Sequence, residues 1–166
     1  MRELVVPTVR LHRAWLEARA EWGPGLHEDG FGLRAADEVE SAVGFGMWVG
    51  RLRWEEDRSE EGGGRCTYRW IVEDGRVLGG IALRHRDNRY GHIGYGVRPS
   101  ARRRGVATWA LREMLGEARG IGLGRVLLVC EAGNAASAMT IERNGGVLER
   151  EQDTEHGVVR RYWIEL

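Results

Sequence analysis

Apolar residues recur at helical spacing near the start of the chain. Leu11, Trp15 and Leu16 share a face until Trp22-Gly23-Pro24-Gly25 interrupts it. A second helix is predicted from about Asp37. Glu38 and Glu40 would lie in its first turn, where acids suit the helix dipole, with Val39, Val43, Met47 and Leu52 turned inward. Gly44, Gly46 and Gly50 weaken this helix by about 1 kcal/mol each relative to Ala. The acidic stretch Glu55 to Glu61, followed by Gly62-Gly63-Gly64, predicts a mobile connection.

Further on, the pattern becomes that of strands. Cys66 to Glu73 and Arg76 to His85 are rich in strand formers and flank Asp74-Gly75, a strong hairpin signal. Asp87-Asn88-Arg89 predicts a second turn, and His92 to Val97 a third strand ended by Pro99. Val106, Trp109, Ala110, Met114 and Leu115 then mark one face of an amphipathic helix over 106–119. Val126 to Cys130 is a short, continuously apolar strand of the kind buried on both faces. Asn134 can cap a helix to about Arg143, Asn144-Gly145-Gly146 ends it, and Val147–Arg150 and Val158–Leu166 close the chain as strands. The order is helix, helix, three antiparallel strands, helix, strand, helix, two strands. It predicts an α/β (α+β) fold with a mixed central sheet.

Composition narrows the classes. A chain of 166 residues is the size of one domain, and 42% hydrophobic content suffices for a core. The formal net charge is zero, which argues against an Arg-rich nucleic-acid-binding module. Every basic residue is Arg. Cys66 and Cys130 form no C-x-x-C pair, no Cys/His cluster has zinc spacing, and Cys130 reads as a buried reduced thiol. No metal is therefore expected. Met1 to Arg10 lacks the apolar core of a signal peptide, and no stretch approaches the ~20 apolar residues of a membrane span. A cytoplasmic protein with no membrane partner is the expectation.

The segment from Val97 to Ala107 carries the chemistry. A strand ends, a basic loop Arg102-Arg103-Arg104-Gly105 follows, and a helix begins at Val106. Amides at a helix N-terminus point outward unpaired, and the dipole favours an anion there. Gly105 permits close approach, Ala107 keeps the first turn open, and the arginines add charge-assisted bonds. Physics alone predicts a phosphate or pyrophosphate site, with a solvated basic helix start as the alternative.

The pattern Val-x-Pro-x-x-Arg-x-x-Gly-Val-Ala-x-x-x-Leu from Val97 to Leu111 resembles the acetyl-CoA motif of GNAT-type N-acetyltransferases, whose core is matched by Arg102, Gly105 and Ala107. Asn134-x-x-Ser137 and Asn144-Gly145-Gly146 match at the family's usual distance downstream, and the element order fits from Cys66 to Leu166. Residues 92–97 and 142–149 resemble a bacterial branch that points to no substrate. The resemblance implies a single GNAT domain over 1–166. Residues 1–64 would form the helical acceptor side and 65–166 the acetyl-CoA core, with the sheet splayed at the cofactor. Main chain near Val97 would pair with pantetheine, amides from Arg103 through Val106 and Ala107 to Thr108 would hold the pyrophosphate, Asn134 would lie near pantetheine, and Ser137 near the thioester sulfur. The implied reaction is direct attack of a small-molecule or peptide amine on acetyl-CoA in a ternary complex. An acyl-CoA-binding sensor without turnover is the alternative. The sequence leaves room for a homodimer.

One departure from the family pattern concerns the acid. Many members carry Tyr seven residues after the Asn, a position occupied here by Ile141, which has no proton to give. Ser137 or water, Tyr95, or no acid at all are left as options. Candidate bases are His92, whose ordinary pKa suits the task, Glu131 at the end of the second splayed strand, and His85. A histidine bonded to a neighbouring strand is the competing role for His92. Among the tryptophans, Trp22, Trp48 and Trp54 fall where relatives build the acceptor wall, so one of them is a candidate substrate contact.

Overall fold

The computed structural model describes residues 1–58, 64–86 and 88–166. The middle of the expected connection (59–63) and Asp87 of the expected second turn lie outside the described residues. The strands are β1 (Arg2–Val5), β2 (Cys66–Glu73), β3 (Arg76–Arg84), β4 (Ile93–Val97), β5 (Arg125–Glu131), β6 (Val147–Thr154) and β7 (Gly157–Glu165). The helices are α1 (His12–Trp22), α2 (Ala42–Asp57), α3 (Val106–Gly120) and α4 (Ala135–Arg143).

Two sheets form, in the orders β1-β2-β3-β4 and β5-β7-β6. Every ladder between named strands is antiparallel. The fold is α+β, and the central sheet is divided between β4 and β5. Asp74-Gly75 makes the β2–β3 hairpin with Glu73 opposite Arg76, as its residue types require. β2 and β3 are buried over most of their length because helices cover both of their faces. Trp70, Val72, Val77 and Ala82 join an aromatic core with Trp15, Phe31, Phe45 and Trp48 beneath α1 and α2. Ile71, Ile81 and Leu83 join an aliphatic core with Leu111, Met114, Leu128 and Ile141 beneath α3 and α4.

The N-terminal region differs from the sequence reading in two ways. It is not wholly helical: β1 adds to the edge of β2, with Leu4 opposite Ile71. Four residues are too few for an alternation to register. And α2 starts at Ala42, where Ser41 Oγ accepts from the Gly44 amide at 3.0 Å. Glu38 lies before the helix, and its carboxylate accepts from the Glu40 and Ser41 amides. This later start turns the helix: Phe45, Trp48, Val49 and Leu52 are buried, while Val43 (76%) and Met47 (73%) face solvent. The acidic stretch is also not simply a solvated face. Glu55 is buried and bonded to Arg34 and Arg51, and Glu56 binds Arg69.

Candidate active site

Gly105 caps α3 in the left-handed region, at φ 72°. That geometry turns the chain sharply into the helix, and no side chain caps the first turn. A Cβ built at Gly105 would meet nothing within 4 Å. The outward amides of the first turn therefore face open space. A cavity of about 570 Å³ lies over them, lined by Val97, Arg102, Arg103, Ala107 and Thr108 from the loop side and Arg143 from α4. The three arginines of the loop separate in role. Arg102 Nε donates to the Val97 carbonyl at 2.9 Å, and Arg104 pairs with Glu73 at 3.2 Å. Arg103, itself at φ 62°, makes no such contact among the described residues. Asn144 Nδ2 donates to the Thr108 and Thr140 carbonyls, tying the end of α4 to the start of α3.

Beside this cavity the sheet opens. β4 and β5 meet at one end only, through the Gly91–Leu128 bridge and the His92 amide, which donates to the Leu127 carbonyl at 2.7 Å. Beyond that staple a cleft of about 190 Å³ runs between Ile93–Tyr95 and Leu128–Glu131, floored by Asn134, Ser137 and Ile141 of the next helix. Asn134 Oδ1 accepts from the Ser137 amide at 3.0 Å and so caps α4. This fixes Ser137 Oγ in the first turn, 2.9 Å from Tyr95 Oη. Burial pushes the Tyr95 phenol up to about 12, so it stays a neutral proton donor near pH 7. Burial also raises Cys130, which is a free thiol in the cleft wall, as expected.

The model of the Acetyltransferase (GNAT) family matches residues 35–145, more than half of the chain. This chain belongs to the GNAT family. No curated protein sequence matches it significantly. Solved structures share its fold over nearly its whole length. A Salmonella typhimurium acetyl transferase that modifies the N-terminal serine of the 50S ribosomal subunit protein L7/L12 is 16% identical, with a TM-score of 0.72 over 99% of this chain and 95% of its own. Mycobacterium smegmatis RimJ, solved with CoA-disulfide, is 20% identical, with a TM-score of 0.71 over 98% and 85%. The microcin C7 self-immunity acetyltransferase MccE, solved with acetyl-CoA and AMP, is 15% identical, with a TM-score of 0.73 over 99% and 92%. As a GNAT-type N-acetyltransferase, the chain is an enzyme by class.

Within this GNAT fold the candidate bases separate. His92 is buried, and its Nδ1 accepts from the Leu127 amide at 2.9 Å. The neutral ring must then carry its proton on Nε2, which leaves no nitrogen lone pair to take another. His92 does not line the cleft; it staples the two sheets, the role that competed with catalysis. His85 Nε2 bonds Thr67 Oγ1 at 2.8 Å and lies outside the cleft lining too. Glu131 does reach the cleft, at the exposed end of β5. Trp22, Trp48 and Trp54 line neither this cleft nor the groove beyond it. Trp22 packs on Phe31, Trp48 is core, and Arg58 stacks on exposed Trp54.

Two charged residues that the sequence reading did not assign to the site line it. Arg143 shares one helical face with Ala136, Met139 and Thr140, all lining the loop cavity. Their spacing of three and four was readable. Glu28, from the segment between α1 and α2, lines the cleft beside Glu131. No local signal marks it. Among the described residues, no cluster of His, Cys, Asp and Glu could hold a metal, and no helix is long and apolar enough to cross a membrane.

Proposed function

We propose that this chain transfers an acetyl group from acetyl-CoA to a primary amine of a small molecule or peptide, by direct attack in a ternary complex. The observation that carries this reading is the left-handed Gly105 cap, whose uncapped helix start opens into a cavity beside the divided sheet. A pyrophosphate fits there: the amides from Arg103 to Thr108 are donors without a side-chain cap, and Arg103 and Arg143 bring positive charge to the rim. The edge of β4 away from β3 offers main-chain groups near Val97 to the pantetheine amides. The solved neighbours that hold acetyl-CoA or CoA forms support the choice of donor, and the ribosomal-protein acetyltransferase supports a peptide amine as acceptor.

The acetyl-CoA thioester supplies an activated acyl carbon. The rest falls to the chain. Cleft amides where β4 and β5 part can stabilise the oxyanion. Ser137, in the cleft and bonded to the neutral Tyr95 phenol, would protonate the leaving sulfur, the task of the tyrosine whose position Ile141 occupies. Glu131 puts negative charge at the mouth, where a cationic amine arrives. Proximity supplies much of the rate.

The test is a thermal scan with acetyl-CoA followed by transfer to an amine panel. At ligand 100-fold above its dissociation constant, linkage adds roughly 2.7 kcal/mol of stability. No shift at millimolar acetyl-CoA overturns the proposal. A shift without transfer to any amine leaves a sensor.

A further inference from the structure

The cleft has a second opening. Glu28, Val129, Cys130 and Glu131 line both the cleft and a larger groove of about 610 Å³ on its far side. That groove runs out past Tyr90 to the tip of the β6–β7 hairpin, where Asp153 and Glu155 stand on its walls. Arg89, His156 and Arg161 share those walls, so the groove carries charges of both signs. Two carboxylates, Glu28 and Glu131, flank the passage between the two spaces.

Glu28 is held there by backbone packing on both sides of its neighbours. Asp29 is buried, with Oδ1 accepting from the Phe31 amide at 2.9 Å. Phe31 fills the aromatic core against Trp15, Trp22 and Trp70. The segment lies flat on β3 and β4 because three glycines leave room. A Cβ at Gly96 would stand 2.6 Å from Asp29 Cα, one at Gly80 2.6 Å from the Phe31 ring, and one at Gly30 2.6 Å from the Gly80 carbonyl oxygen. With Asp29 and Phe31 committed to the interior, Glu28 is left exposed over the passage. Glu28 shares the lining of the reacting cleft with Tyr95 and Cys130.

Resting on the acetyl-transfer reading above, we infer that the acceptor enters through this groove as a primary ammonium and that Glu28 takes its proton. The freed amine nitrogen then bonds to the acetyl carbonyl carbon, and the carbon–sulfur bond breaks. Sulfur leaves with the electron pair and is protonated by Ser137, whose hydroxyl is restored by the second proton that the nitrogen loses as the amide forms; the proton on Glu28 passes to solvent through the groove. Glu28 would thus be a catalytic residue of the acceptor side, with Glu131 as a second charge holding the ammonium.

The test compares two near-isosteric acceptors, ethylamine, which is protonated at pH 7, and trifluoroethylamine, which is largely neutral. Only the first needs a base before attack. In Glu28→Gln, kcat/KM for ethylamine should fall by about 10²-fold, and that for trifluoroethylamine much less. Glu28→Asp should recover part of the loss, and the melting temperature and coenzyme A affinity of both variants should match wild type. Equal loss with both amines, or no loss with ethylamine, overturns the role of Glu28 while the transferase reading stands. Wild type that is protected by acetyl-CoA yet transfers neither to these two amines nor to any member of the amine panel overturns both.

Discussion

Arg98 Nη2 lies 2.7 Å from Glu21 Oε1, joining the start of the loop before α3 to helix α1. The Arg98 side chain is buried and also reaches Glu17 and the Val77 carbonyl, while Glu21 accepts from the Ser100 amide and hydroxyl. The loop before α3 is thereby fastened to α1.

The first prediction follows from this pair. The Arg98 hydrogen bond, then the Ser100 amide, hold the Glu21 carboxyl down at about 2. A depressed folded-state value means stability that is present above the unfolded value of about 4.3 and lost as pH falls through the folded one. Glu21→Gln should therefore lower stability by about 2 kcal/mol at pH 7, or about 4–8 °C in Tm. Thermal melts from pH 7 downward should show the gap between variant and wild type closing below pH 4 towards pH 2.

Gly105 separates strain from obstruction. Gly105→Ala adds a Cβ to open space and suffers only the left-handed backbone, about 1–2 kcal/mol. Gly105→Glu adds a carboxylate where the pyrophosphate belongs. Calorimetric titration with coenzyme A should show binding in the first variant and none in the second, with both chains folded by circular dichroism. Equal affinities would place the phosphate site elsewhere.

His92 should behave as a staple. His92→Ala leaves the Leu127 amide without its acceptor in a buried place, which should destabilise the fold by about 1–3 kcal/mol. The acidic limb of the pH–rate profile should keep its position, since the ring holds no proton in transit. A profile flattened by this substitution would return His92 to catalysis.

Ser137 and Tyr95 should act in sequence. Ser137→Ala is expected to lower kcat by up to ~10²-fold with coenzyme A affinity retained. Tyr95→Phe keeps the aromatic packing and removes the hydroxyl bonded to Ser137 Oγ at 2.9 Å and to the Ser137 carbonyl at 3.4 Å, so its effect on kcat should be smaller. Assays on the double variant should show less than the product of the single losses, because both changes interrupt one path.

Ile141 is buried in the aliphatic core as well as at the cleft, and its Cγ2 would be 2.4 Å from a Cβ at Gly146. Ile141→Ala should cost about 2–5 kcal/mol in denaturant unfolding. A catalytic loss without a stability loss would show that the helix registers differently on the cleft.

What the sequence made legible was local. Asp74-Gly75, the Gly105 loop and the Asn134 cap each depend on residues within four positions, and each stands where its chemistry placed it. The phase of α2 was not legible, because glycines at 44, 46 and 50 blur the apolar face and the deciding cap at Ser41 had passed unmarked. The sequence offered His92 either as a base or as a histidine bonded to a neighbouring strand but could not show that the Leu127 amide would claim its Nδ1. Glu28 was hidden for a related reason. Gly80 and Gly96 acquire meaning only when the segment pressed upon them is known, and that segment lies far away in sequence.

The aromatic core has an optical corollary. Trp15, Trp22, Trp48, Trp54 and Trp70 all belong to α1, α2 and β2, whereas only Trp109 and Trp163 sit in α3 and β7. Intrinsic emission from this chain is thus weighted toward the aromatic core beneath α1 and α2, and Trp15, Trp48 and Trp70 lie close enough for energy to pass among them, with ring centroids 4.7 and 5.7 Å apart. An amine drawn into the groove would disturb a bright, coupled set of indoles through the Glu28 segment and Phe31. Coenzyme A would be felt mainly by the lone indole of Trp109, one turn into the helix it caps, so the two ligands would write on the same spectrum from opposite sides of the sheet.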